Sequence, residues 1–179
     1  NNPDLVQVVR DCERFGAEGI TIHPRTDERH ITTKDVYDIS EVVTTEFNIE
    51  GYPDERFLKL IEEVKPAQAT LVPDGPDVIT SCAGWDVIAN DQFLTDVVAR
   101  ISASGVRVSL FMDPDKHQIE KVPSVGADRI ELYTEQYATQ YLIDKEQGIA
   151  PYFQAAEFAT QLGLGLNAGH DLDLDNLAY

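Results

Sequence analysis

The chain has 179 residues, 42% of them hydrophobic and 26% charged, the make-up of one ordinary globular domain with enough apolar surface for a core. Its formal net charge is −18, from 14 Lys and Arg against 32 Asp and Glu, which argues against a duplex nucleic-acid binder and against docking on anionic lipid. No run approaches the roughly 20 apolar residues of a membrane helix, and Cys12 with Cys82 makes neither a disulfide framework nor a structural zinc site, so a reducing, cytoplasmic setting is expected.

The chain opens Asn1-Asn2-Pro3, with neither an initiator Met nor a secretory pattern, so the length is expected to describe part of something larger. Asn2-Pro3-Asp4 reads as a helix start with Pro in its first turn. Leu5, Val8, Val9, Cys12 and Phe15 follow at helical spacing, and Gly16 stands where a C-terminal cap belongs. Gly19 to His23 is a short β-rich run. Thr32 or Thr33 opens a helix carrying Val36, Ile39, Val42 and Val43. Phe47 to Glu50 reads as a strand, Asp54 to Val64 as a helix, and Ala69 to Val72 as a strand stopped by Pro73. Residues 73 to about 88 show no period, and a connection of that length suggests a lid or binding loop. Phe93 to Ile101 is helical, Val106 to Phe111 a strand, and Lys116 to Lys121 a short helix. Arg129 to Leu132 is a strand, Pro151 to Leu162 a helix, and Leu164 to Asn167 a last strand. Leu174 to Tyr179 reads as a helix barely begun.

Six strands alternating with helices imply a parallel sheet with right-handed crossovers. A weak repeat supports this: Gly16-Ala17-Glu18-Gly19-Ile20-Thr21-Ile22-His23 aligns with Gly126-Ala127-Asp128-Arg129-Ile130-Glu131-Leu132-Tyr133. Each unit ends a helix on Gly and enters a strand at once. Regular βα units of about 25–35 residues suit a barrel or a doubly wound sheet. Residues 1–179 read as a single domain with no internal boundary.

Polar residues gather at strand exits. His23 and Arg25 follow the first strand, Glu50 ends the second, and Thr80 lies in the loop after the third. Asp113 follows the fourth, Glu131 sits in the fifth, and Asn167 and His170 follow the sixth. In parallel α/β folds ligands bind at that end. A carboxylate such as Glu50 on an apolar strand needs partners, and imidazoles titrating near neutrality suit proton transfer. Arg25 with His30 could clamp a phosphate, or could belong to a surface salt bridge within Arg25-Thr26-Asp27-Glu28-Arg29; local sequence leaves both open. His117, on a charged helix, reads as a solvated side chain. Gly163-Leu164-Gly165-Leu166-Asn167-Ala168-Gly169 misses the dinucleotide fingerprint. Asp171-Leu172-Asp173-Leu174-Asp175-Asn176 lacks the glycine of a calcium loop. Cys82 has no neighbouring His to activate it.

The block from Gly16 through His23-Pro24-Arg25-Thr26-Asp27-Glu28-Arg29-His30 to Thr32 resembles the signature of the pyridoxine 5'-phosphate synthase (PdxJ) family. So do Phe47-Asn48-Ile49-Glu50 and Leu166-Asn167-Ala168-Gly169-His170; Leu71-Val72-Pro73 and Val108-Ser109-Leu110-Phe111 fit in order. The resemblance implies a TIM (β/α)8 barrel, of which about six βα units are present. The family's first strand, and its last with a Gly-His phosphate contact, have no counterpart, so a chain truncated at both ends is expected. It further implies condensation of 1-deoxy-D-xylulose 5-phosphate with 3-amino-2-oxopropyl phosphate to pyridoxine 5'-phosphate, phosphate and water, with no metal or organic cofactor. By resemblance His23 and Glu50 are proton acceptors and His170 the proton donor. Arg25, His30 and Thr80 bind the deoxyxylulose phosphate, and Asp171 contacts the amino-ketone phosphate. A cytoplasmic homo-oligomer, an octamer, is implied, with small phosphorylated substrates and no nucleic-acid or membrane partner. Asp171 replaces the Gly common after the catalytic histidine, and Tyr133-Thr134-Glu135 replaces a common His-Thr-Gly. Two other readings stay open: a metal-dependent barrel isomerase or hydrolase using His23, Glu50, Glu131 and His170, and a catalytically incomplete barrel fragment.

Overall fold

The computed structural model describes residues 3–74 and 83–179. The chain folds as two compact units, residues 1–80 with 100–108, and residues 81–99 with 109–179.

The first unit starts with helix α1, Leu5–Arg14, followed by β1 (Gly19–Ile22), α2 (Thr33–Ser40), β2 (Glu46–Gly51), α3 (Glu55–Val64) and β3 (Gln68–Leu71). Local chemistry sets these boundaries. Asp4, rather than Asn2, is the N-cap of α1, its carboxylate accepting from the Gln7 N–H at 3.0 Å. At the other end Ala17 N–H reaches the Cys12 carbonyl and Gly16 N–H the Glu13 carbonyl, both at 3.0 Å, a Schellman closure. Gly16 makes this possible at φ +103°, where a Cβ would strain the chain. Gly105, Gly126 and Gly163 are left-handed too, so the sequence repeat is a repeated helix-to-strand turn. Thr32 and Asp35 form a capping box at α2, and the Asp54 carboxylate caps α3 through Phe57 N–H at 2.8 Å.

β1, β2 and β3 run parallel, with Ile22 opposite Ile49 and Gly51 opposite Leu71. One side of these strands packs Phe47, Ile49, Ala69 and Leu71, all buried. The alternate residues form a polar ladder: Asn48 donates to Thr21 Oγ1 at 3.3 Å, Thr70 to Asn48 Oδ1 at 3.1 Å, and Gln68 to Thr70 Oγ1 at 3.2 Å. Burial of these groups is tolerated because each finds a partner. Arg107 extends the ladder by donating to Gln68 Oε1 at 2.9 Å.

In the second unit, most of α4 (Asp91–Ala103) and of β4 (Arg107–Met112) is followed by α5 (Lys116–Ile119), α6 (Val122–Val125) and β5 (Arg129–Tyr133). Then come α7 (Glu135–Tyr141), α8 (Lys145–Gln161) and β6 (Gly165–Gly169). β4, β5 and β6 are parallel neighbours, with Leu110 opposite Ile130 and Ile130 opposite Leu166. Leu94, Leu110, Met112, Ile119 and Ile130 are completely or almost completely buried. The strand order is β1-β2-β3-β4-β5-β6, and the parallel pairing expected from the alternation holds within each unit.

Several expectations need correction. The α1 stripe is mostly uncovered: Val9 is buried, but Phe15 is 79% exposed beneath the Arg14 guanidinium. Val42 and Val43 lie beyond α2, where both N–H groups return to the Ile39 carbonyl. The helix read from Pro151 starts at Lys145, and Pro151 lies inside it; the ring removes one intrahelical donor without ending the helix. α7 is a helix not anticipated from the sequence: its Tyr, Gln and Thr residues carry no apolar stripe, and only Tyr137 is buried. Leu174 to Tyr179 makes turns instead of a helix. The Asp173 carboxylate accepts from Asp175 and Asn176 N–H, and Tyr137 donates to the Asn176 carbonyl at 2.6 Å.

Candidate active site

In the first unit the register builds the chemistry. Ile22 pairs with Ile49, so the next residues, His23 and Glu50, leave neighbouring strands side by side. His23 Nδ1 lies 3.2 Å from Glu50 Oε1, and both side chains are largely but not wholly covered, 25% and 16% exposed. An imidazole held by a carboxylate while still reachable is suited to taking and passing a proton.

The segment after His23 is tied down residue by residue. Arg25 N–H donates to the His23 carbonyl at 3.0 Å, and Glu28 N–H to the Arg25 carbonyl at 3.0 Å. Glu28, at φ +52°, accepts from the Thr33 hydroxyl at 2.6 Å and the Thr33 N–H at 2.9 Å, and these bonds lower its pKa, the hydroxyl most. Arg29 Nε pairs with the Asp27 carboxylate at 3.0 Å. A salt bridge within this run, one of the two readings of its charges, is therefore present. Arg25 lines a concavity with His23, Tyr52, Arg56 and Asp74. His30 is exposed and lines a different one, with Glu28, Asp35 and Asp38. Thr80 and Cys82 lie outside the described residues, as does about half of the candidate lid, residues 75–82.

Arg56 and Asp74 escaped the sequence reading. Arg56 Nη2 donates to the Pro24 carbonyl at 2.7 Å, bracing the segment that carries His23 and Arg25. A signal was available: Arg56 falls in the first turn of α3, where a cation opposes the helix dipole.

In the second unit Glu131 lies in β5 opposite Asn167. Its Oε1 sits where a Cβ on Gly169 would come within 2.8 Å, so the glycine makes room for the carboxylate beside the end of β6. His170 follows, with its ring edge-on to Tyr133 at 5.0 Å and 6.1 Å from Phe111. Its Nδ1 is 3.0 Å from Asp171 Oδ2. His170 and Asp171 both have positive φ, +92° and +55°. Asp171 thus occupies a conformation that glycine adopts more easily, in keeping with the glycine that the resemblance leads one to expect there. Thr134, buried, pins the turn: its N–H donates to the Gly169 carbonyl at 3.1 Å, and its hydroxyl, with one proton for the two, lies 2.6 and 2.5 Å from the carbonyl oxygens of Gly169 and His170. Asp113, after β4, accepts from Gly84 N–H at 3.0 Å, a structural duty. His117 is exposed. Among the described residues no three His, Cys, Asp or Glu side chains gather as a metal would require, and no helix is long and apolar enough to cross a membrane.

Parallel βα units, with an imidazole–carboxylate pair at the strand exits of the first unit and a histidine after the last strand of the second, define an α/β protein of the class whose enzymes carry their chemistry at that end of the strands. The fold resembles mandelate oxidase in its complex with 3,3-difluoro-2-hydroxy-3-phenylpropionic acid, at a TM-score of 0.65 and 13% identity. That likeness covers 90% of this chain, and the chain spans 56% of the length of that structure. Sequence comparison is more specific. The family model for the pyridoxal phosphate biosynthesis protein PdxJ matches residues 1–179, and the chain belongs to that family. It is 58% identical over 179 residues to the pyridoxine 5'-phosphate synthase of Cytophaga hutchinsonii and 57% identical to that of Porphyromonas gingivalis. Each match covers the whole of this chain and 75% of the relative.

Proposed function

We propose that the chain carries out the pyridoxine 5'-phosphate synthase reaction of vitamin B6 biosynthesis, joining 1-deoxy-D-xylulose 5-phosphate to 3-amino-2-oxopropyl phosphate. The observation that carries it is the His23–Glu50 pair at 3.2 Å, in a chain matched by the family along its full length. The family match favours this reading over a metal-dependent isomerase or hydrolase.

The reaction explains why such groups are needed. Amine and ketone join as an imine with loss of water, a phosphate leaves, and the ring closes and aromatises; each step moves protons. His23 and Glu50 act as acceptors and His170 as donor. The resemblance assigns Arg25, His30 and Thr80 to the deoxyxylulose phosphate and the Asp171 backbone to the amino-ketone phosphate; Arg25 stands beside His23 for that role, whereas His30 lines a different concavity. Fixing two substrates together supplies much of the remaining acceleration. The six parallel strands are read as part of a (β/α)8 barrel forming a single domain, supported by the strand order and by the resemblance in sequence. A cytoplasmic homo-octamer is the assembly the resemblance supports.

The test is direct. The 179-residue protein is incubated with both substrates, with and without a chelator, and pyridoxine 5'-phosphate is measured by chromatography. Product formation indifferent to the chelator is expected. Product lost on chelation and restored by a divalent metal would favour the metal enzyme, and no product would favour the incomplete fragment.

A further inference from the structure

The concavity beside His23 holds two buried polar groups with nothing to bond. Arg56 spends Nη2 on the Pro24 carbonyl, but its Nε and Nη1 are buried without a hydrogen-bond partner. Asp74 Oδ2 is in the same condition, and both residues line the cavity with His23, Arg25, Arg29 and Tyr52. An unpaired buried donor or acceptor is costly, and native proteins seldom keep one without a use. Arg56 is also held against the dipole of its own helix. The enclosed space is about 20 Å³, room for one water, so these atoms are met by the tip of a ligand entering from the open side, one that brings acceptors to a guanidinium and, separately, a donor to a carboxylate.

A simple anion meets only half of that demand, because Asp74 would repel it. A phosphorylated polyol meets both: a phosphate oxygen accepts from Nε, a further acceptor of the ligand meets Nη1 on the other side of the guanidinium, since Nη2, the fork partner of Nε, is taken by Pro24, and a hydroxyl donates to the carboxylate. With three arginines and one aspartate the lining is cationic overall, even though Arg29 already pairs with Asp27. We infer that Arg56 and Asp74 are substrate-binding residues: Arg56 a further contact to the phosphate of a phosphorylated hydroxyketone, Asp74 the acceptor for one of its hydroxyls. The inference rests on the substrate class proposed above and adds two residues to those the family resemblance supplies.

Affinities for 1-deoxy-D-xylulose 5-phosphate, for the same sugar without phosphate, and for inorganic phosphate separate these roles. Arg56→Gln is expected to weaken the phosphorylated sugar and inorganic phosphate about 10–100-fold while sparing the unphosphorylated sugar. Asp74→Ala is expected to weaken both sugars about 3–10-fold and to leave inorganic phosphate bound as well or better. Equal losses for all three ligands, or changes under about twofold, would overturn the assignment. Should Arg56→Gln fail to fold, NMR of the unsubstituted protein reads the same contact: the Arg56 Nε–H resonance shifts as inorganic phosphate is added, and a stationary resonance counts against it. Failure of the functional reading looks different. There, inorganic phosphate still moves the Arg56 signal, but the unsubstituted protein makes no pyridoxine 5'-phosphate.

Discussion

His23 and Glu50 show how much one residue can depend on its neighbour's backbone. The parallel register delivers them to adjacent exits, and the 3.2 Å contact follows with no further device. Glu50→Gln keeps the shape and removes the base, so turnover is expected to fall about 10²–10⁴-fold with little change in unfolding temperature; a variant that still turns over at the original rate would remove Glu50 from the chemistry. These two residues were legible in the sequence because each stands at a strand exit and carries the family's motif. Arg56 and Asp74 were not: the one local signal, a cation in the first turn of α3, is too common to single out Arg56, and nothing local marks Asp74 in the loop after β3. Only burial without a partner does that, and burial is a property of the folded chain.

Among the elements, caps and turns were easiest to anticipate, since one side chain and one N–H decide them. Four Gly turns, the Asp54 cap and the Thr32–Asp35 box all follow from short-range chemistry. Helices α7 and α8 were harder. Gly148 and Pro151 look like breaks, yet tertiary packing keeps them in one helix, with Gly148 lying close to Gln140 of α7. A similar dependence on close approach predicts the effect of Gly84→Ala. A Cβ there would lie 2.6 Å from Met112 Cα and against the backbone of Asp113, at the end of β4. That approach must open, taking with it the Gly84–Asp113 bond and the neighbouring Trp85–Phe111 backbone bond. A loss of about 1–3 kcal/mol is expected in a denaturant titration; an unshifted midpoint would mean that this segment is free to move away.

For the molecule as a whole, the charge of −18 makes its behaviour in acid a sharp test. Glu13 is held below the usual carboxylate range by the Thr44 N–H and by Thr45, Asp35 by Thr32, and Glu55 and Glu62 by Arg100. A carboxyl whose folded pKa is depressed stabilises the fold above its unfolded value, about 4–4.5, and that stabilisation is lost as pH falls through the folded value. The unfolding temperature is therefore expected to hold between about pH 7 and 5 and to drop below about 4, with a shallower drop in Glu13→Gln. An equally steep acid limb in that variant would count against the role of Glu13. The same charge excludes little about phosphorylated substrates, because a cavity answers to its own lining, and the one beside His23 carries Arg25, Arg29 and Arg56. From the sequence alone came the alternation of strand and helix, the glycine turns, the family and the residues of its motifs, because all of these are written in short-range pattern and residue identity. The tertiary structure alone decided that Arg56 braces the His23 segment, that Asp171 takes a glycine-like conformation, and that Asn48, Thr70 and Gln68 form a buried ladder. Each depends on which distant residues become neighbours, and strand register settles that only once the chain has folded.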